Sequence, residues 1–355
     1  MAIIALLLMS ARPAQADNIR DQQWHLAALR IPEAQQLSQG AGVVVALPDT
    51  GVDTEHAELT DAVLPGKGFG EGNKTDGRVD FIGHGTAMAG LIAGRGLPGG
   101  GGVLGIAPKA MILPLQTLRN EDGNGTAAFL AGGIDWAVEH GAKVICIAGG
   151  TGEDAQVRES VERALLADVV VVAAVGNTTS DKTIAFPASL PGVVAVGGTG
   201  HNGEHAVISV TGPGVLVVAP AVDIVSTRPS GKYVAATGTS DATAIVSGVV
   251  ALVRAKFPGL SGPEVVRRIA ATAVDKGKPG RDEEFGFGIV DPVAALTADV
   301  TPVTAVGSGG LVPSGGGGSP LGGGSSRGWV VWGIVGVGVV FVVGVLGWWR
   351  LRRRR

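Results

Sequence analysis

The chain has 355 residues, enough for one large domain or two modest ones. Aromatic residues make up 4%, glycines number 59 and the formal net charge is −3, a balance that gives no support to a nucleic-acid binder. The single cysteine, Cys146, excludes a disulfide within the chain, so the fold must rest on its core.

Residues 1–16 read MAIIALLLMSARPAQA, an apolar run followed by the small-x-small pattern Ala14-Gln15-Ala16. A signal peptide cleaved after Ala16 is expected. Nothing before Arg12 is charged, so either translation starts upstream or the signal is atypical. Residues 17–39 are expected to wrap the domain as an N-terminal extension.

Residues 40–300 form the main globular domain. Apolar runs at Val43–Leu47, Val144–Ala148, Val169–Val175 and Val193–Val196 are continuous rather than alternating, as in parallel strands buried on both faces. A further strand-like stretch covers Ala110–Leu118. Helical spacing appears between the runs, at Ala127–His140 and Val157–Ala167. Small-residue helices are expected over Gly85–Ala93 and Asp241–Lys256. The βαβ alternation predicts an α/β fold, an open and mostly parallel sheet with helices on both faces. Reactive residues in such sheets gather beyond the carboxyl ends of the strands. Cys146 lies in the apolar run VICIA and reads as a buried small hydrophobe, not a catalytic thiol.

Residues 301–328, rich in Gly, Ser and Pro, read as a flexible linker. Residues 329–349 carry no charge and have Trp at both ends. As a helix they reach about 30 Å, the thickness of a bilayer core. Residues 350–355, RLRRRR, hold five of the 28 basic residues and leave the rest of the chain mildly acidic. The positive-inside rule keeps that basic tail cytoplasmic and the domain outside. The expectation is a single-pass protein of the cell membrane with an extracytoplasmic domain.

Three segments carry chemistry: Asp49 in PDTGVD, His84 in GHGTAMAG and Ser240 in GTSDATAIVSG. A serine hydroxyl is a poor nucleophile until an imidazole takes its proton. A buried carboxylate orients the imidazole and stabilises the imidazolium. Asp49 and Asn177 each follow an apolar run, where this architecture places reactive groups. Ser240 opens a helix, among free backbone N–H groups that favour an oxyanion, and Asn177 offers a second donor. His25, His56, His140, His201 and His205 lack motif context and are expected at the surface or as satisfied polar residues. No residue spacing suggests a zinc site, and no acidic loop is diagnostic of calcium. No cofactor is expected.

The order Asp, His, Ser and these motifs resemble the subtilase family over roughly Gly40 to Ala295. The resemblance includes Gly105-Ile106-Ala107-Pro108, the AAVGN box ending at Asn177 and the FGFGIVD segment. The N-terminal DNIRDQQWHLAALRIPEAQQLSQGAGV and the anchored C-terminus are more similar to mycosins, the membrane-anchored subtilases that accompany type VII secretion. The resemblance implies that Asp49 orients, His84 acts as base then acid, and Ser240 is the nucleophile, with Asn177 and the Ser240 N–H forming an oxyanion hole. It also implies a protein or peptide substrate, flanked by Leu115, Gln116 and Thr117 and by Ala148, Gly149 and Gly150 as an added strand.

The chain departs from the family at Asp241, where a bulky apolar residue is common, and at Ala244, where proline is common. The usual Ser-Leu-Gly of the substrate wall is here Ala148-Gly149-Gly150. Mycosins often carry disulfides, which one cysteine cannot form. The competing expectation is a structural subunit of a type VII secretion complex with weak or no protease activity, and Asp241 keeps that reading open.

Overall fold

A computed structural model describes residues 16–70, 74–118 and 126–300. The expected linker, membrane span and basic tail lie outside the described residues, as does all but the last residue of the expected signal peptide. Among the described residues no helix is long and apolar enough to cross a membrane.

The elements run α1 (Ala16–Gln22), α2 (Trp24–Ala28), α3 (Ile31–Leu37), β1 (Val44–Asp49), β2 (Lys67–Gly68), α4 (His84–Ala93), β3 (Met111–Gln116), α5 (Ala127–Glu139), β4 (Val144–Ile147) and α6 (Ala155–Leu166). They continue through β5 (Val170–Ala174), β6 (Val194–Thr199), β7 (Val217–Pro220), β8 (Ile224–Arg228), β9 (Lys232–Ala236), α7 (Thr239–Lys256), α8 (Gly262–Ala271) and α9 (Pro292–Thr297). Helix starts follow local chemistry. The side chains of Thr126 and Asp154 accept backbone N–H bonds at the heads of α5 and α6. Ser261 and Glu264 form a reciprocal capping box on α8.

Seven strands form one parallel sheet in the order β2-β3-β1-β4-β5-β6-β7. The continuous apolar runs are explained by layers on both faces. Val45, Leu47, Val144, Cys146, Val170 and Val172 join the core under α4 and α7, while Ala46, Ile145, Ile147, Val171 and Ala173 join the core under α5 and α6. α7 is buried almost all round and packs on α4 and on β4 to β7. Burying each of its valines contributes roughly 1.5–3 kcal/mol.

Chain order reverses at β1, which pairs with β3 on one side and β4 on the other. The sheet therefore opens a crevice at the carboxyl ends of β1, β3 and β4. The antiparallel hairpin β8–β9 leads into α7 and is tied to α4 by Ser226 Oγ donating to Ala87 O (2.6 Å) and Thr227 Oγ1 to Thr86 O (2.7 Å).

The N-terminal helices strap onto this body. Gln23 exchanges bonds with Leu104 N and O, Trp24 Nε1 donates to Val222 O, Gln35 Nε2 donates to Gly105 O, and Ser38 Oγ donates to Leu252 O. Leu26, Leu29, Ile31 and Ala34 join the core beneath α4 and α7. Here one expectation is corrected. His25 is neither at the surface nor satisfied: it is fully buried with neither ring nitrogen hydrogen-bonded, and burial lowers its pKa to about 3. The apolar side chains around it in α2 and α3 carry it into the core as a neutral ring.

Candidate active site

Asp49 ends β1 at 1% exposure, and its Oδ1 accepts the Thr50 N–H at 2.7 Å. His84 opens α4. Its Nδ1 lies 2.8 and 2.9 Å from the two Asp49 carboxylate oxygens, while about a third of the side chain stays open to solvent (38%). Gly85 permits this approach: a Cβ there would fall 2.1 Å from Gly51 O and 3.2 Å from Asp49 Cβ. The Asp49 charge raises the His84 pKa to about 9; burial opposes it, and Asp241 and Asp80 add to it.

Sequence reasoning missed Asp80. Its Oδ1 accepts the Ile82 and Gly83 N–H groups, and its Oδ2 accepts both the N–H and the hydroxyl of Thr86. This buried carboxylate clamps the first turn of α4 and so fixes where His84 sits. Its signal in the sequence is faint, an Asp four residues before a histidine in a stretch without periodicity.

Ser240 lies in the first turn of α7, half-buried. The position a Cβ would take on Gly238 lies 3.2 Å from Ser240 Oγ, 3.7 Å from Asn177 Nδ2 and 3.8 Å from Asp241 Oδ2. The Ser240 hydroxyl, the Asn177 amide and the Asp241 carboxyl therefore surround one point. Asn177 Oδ1 accepts the N–H and the hydroxyl of Thr239 at 3.1 Å each. Those bonds hold the amide so that its Nδ2 is on the Ser240 side. Asp241 is the link to the other half of the site, since it acts electrostatically on His84.

A cleft of about 70 Å³ begins at Asp49 and is lined by Thr117, Leu130, Ala148, Gly149 and Gly150. Gly149 and Gly150 are exposed, and nothing stands within 4 Å of a Cβ placed on Gly149. Leu115 and Gln116 are corrected. Both are buried inside the sheet, because β3 lies between β1 and β2, with Pro48 opposite Leu115 and Asp49 opposite Gln116. Leu115 packs in the core under α5, and Gln116 Nε2 donates to Thr50 O and Val79 O. A second, larger hollow of about 480 Å³ starts at Thr178 and Thr237, the neighbours of Asn177 and Gly238.

His205 is corrected as well, since its Nε2 is buried without a hydrogen-bond partner and its ring meets Phe285 edge-on, while the other three histidines have partners. His56 pairs with Glu58 at 2.7 Å, His201 with Asp223 at 3.3 Å, and His140 stacks on Trp136. The Cys146 thiol is fully buried, and burial pushes its pKa to about 12. Among the described residues no three His, Cys, Asp or Glu side chains are grouped to hold a metal ion.

A parallel sheet with an Asp–His pair at one strand end and a serine opening the central helix defines a serine hydrolase architecture. Residues 40–288 match the model of the subtilase family, and the chain belongs to that family of serine proteases. It is 37% identical to subtilisin DY of Bacillus licheniformis over 263 residues, which covers 72% of this chain and 92% of that protein. Among solved structures it resembles MycP1 from Mycobacterium smegmatis, with TM-score 0.70 and 31% identity over 85% of this chain and 91% of that one. It also resembles the MycP3 protease from the type VII (ESX-3) secretion system, with TM-score 0.67 and 33% identity over 78% of this chain and 88% of that one.

Proposed function

We propose that the chain is a membrane-anchored serine endopeptidase, associated with type VII protein secretion, in which Asp49, His84 and Ser240 cleave peptide bonds. The observation that carries the reading is the two-oxygen contact of Asp49 with His84 Nδ1, which leaves Nε2 as the free nitrogen of a partly open ring. His84 Nε2 takes the Ser240 proton as Oγ attacks the scissile carbonyl. The amide of Asn177 and the Ser240 N–H then receive the oxyanion. His84 returns the proton to the leaving nitrogen, and water repeats the sequence to free the acid product. An extended peptide would lie along Ala148, Gly149 and Gly150, of which the two glycines are exposed, and continue past Ser240 toward the hollow at Thr178.

The mycosin-like structures support a place in type VII secretion. The uncharged residues 329–349, followed by five arginines, support an anchor with the domain outside the cell membrane. A second reading, a structural subunit with little or no protease activity, is favoured by one observation: a buried carboxyl directly after the nucleophile.

A membrane-impermeant fluorophosphonate probe on intact cells tests these readings together. The expected result is labelling of wild type from outside, in the membrane fraction, and none of Ser240→Ala. Absence of labelling on a well-folded chain would favour the structural reading. Labelling only after lysis would overturn the orientation.

A further inference from the structure

Asp241 is 2% exposed, and its Oδ1 is buried without a hydrogen-bond partner. An ionised carboxylate in that setting is costly, whereas a neutral carboxyl has a proton to donate. Its Oδ2 shares the point at Gly238 with Ser240 Oγ and Asn177 Nδ2. A neutral carboxyl there adds a donor beside the two already assigned to the oxyanion. An ionised one repels the oxyanion.

We propose that Asp241 works as a neutral carboxyl that donates a hydrogen bond to the oxyanion, so that its ionisation switches the enzyme off. This rests on the reading of Asp49, His84 and Ser240 above. In the step concerned, Ser240 Oγ bonds to the carbonyl carbon and its proton passes to His84 Nε2. The carbonyl π pair moves onto oxygen, and Asp241 shares its proton with that oxygen without losing it. When the intermediate collapses, the oxygen pair re-forms the carbonyl, the C–N bond breaks and His84 protonates the nitrogen. Asp241 ends as it began. A buried carboxylic acid kept neutral to serve as a donor is a known device for stabilising such charge.

The groups facing the head of α7 give the pH dependence. Burial raises the Asp241 pKa to about 7, and the His84 charge pulls it down. His84, raised to about 9, is backed by Asp49 of β1 and Asp80 before α4. Asp181 accepts the Asn177 backbone N–H. The Cys146 thiol of β4 stays neutral. Asp241 and His84 therefore titrate as a pair. Between about pH 7 and 9 their shared proton rests mainly on His84, while the reactive arrangement carries it on Asp241.

The test is the rate of fluorophosphonate labelling of the full chain from pH 5 to 9.5, for wild type, Asp241→Asn and Asp241→Leu, with Ser240→Ala as the blank. Wild type is expected to rise and then fall. Asp241→Asn keeps a neutral donor, so it loses the alkaline fall and labels about 10-fold or more faster than wild type at pH 9. Its acid limb then follows His84 alone, which Asp49 and Asp80 still raise but Asp241 no longer does. Asp241→Leu, without a donor, is slower than Asp241→Asn at every pH. A wild-type profile without an alkaline fall overturns the proposal whether or not the variants fold, and so does an alkaline fall unchanged in Asp241→Asn. Wild type that is folded but labels at no pH overturns the Ser240 reading itself and takes this one with it.

Discussion

Asn177 divides one amide between two tasks. Its oxygen holds the first turn of α7 through Thr239, and its nitrogen is on the side of Ser240 Oγ. Asn177→Ala is expected to keep the fold, lose about 1 kcal/mol of stability with the Thr239 contacts, and slow turnover by ~10²–10³. Steady-state kinetics with a denaturation curve checks both numbers, and unchanged turnover removes Asn177 from the oxyanion hole. At this scale the positions of the candidate residues were legible as boundaries. Asp49, His84, Asn177 and Ser240 each end an apolar run or open a small-residue helix, and those boundaries show in the sequence. Asp80 was not legible, because its work is done through backbone N–H groups of a loop that has no period. Leu115 and Gln116 were misread because apolarity marks a strand without marking which of its residues lie beyond the sheet.

Among the elements, the strands in the middle of the sheet were the readable ones, since burial on both faces demands unbroken apolar runs. Their ends were less so. β1 runs past Leu47 to Asp49 because pairing with β3 continues through Pro48, and β6 runs through Gly197 and Gly198 to Thr199 against β7. The β8–β9 hairpin has no continuous apolar run, as only one of its strands is buried. The strap of α1 to α3 carries a titration of its own. The folded-state pKa of His25, about 3, is below its unfolded value, so the folded state binds fewer protons between those limits. Stability is therefore full above about pH 6.5 and falls toward pH 3, by up to about 1.4 kcal/mol per pH unit. His25→Leu is expected to flatten this acid loss relative to wild type in denaturation midpoints at pH 4, 5 and 7. An identical slope in both proteins would remove His25 as its cause.

Across the molecule, the proposed triad joins residues 191 positions apart, Asp49 and Ser240, carried by β1, where chain order reverses, and by α7, which packs on α4 and on one face of the same sheet. The parallel sheet makes the crevice, α4 presents His84 to Asp49, and α7 brings Ser240 and Asp241 to the point they share with Asn177, which follows β5. The acidic body and the basic tail are separate parts of the design, and the proposed anchor leaves the site's chemistry to residues 40–300. The most direct measurement of that chemistry is a peptide mass map after treatment of the purified chain with a fluorophosphonate. The account predicts one adduct, on the peptide that holds Ser240, and its loss in His84→Ala. An adduct on another serine, or equal labelling of folded His84→Ala, would contradict it.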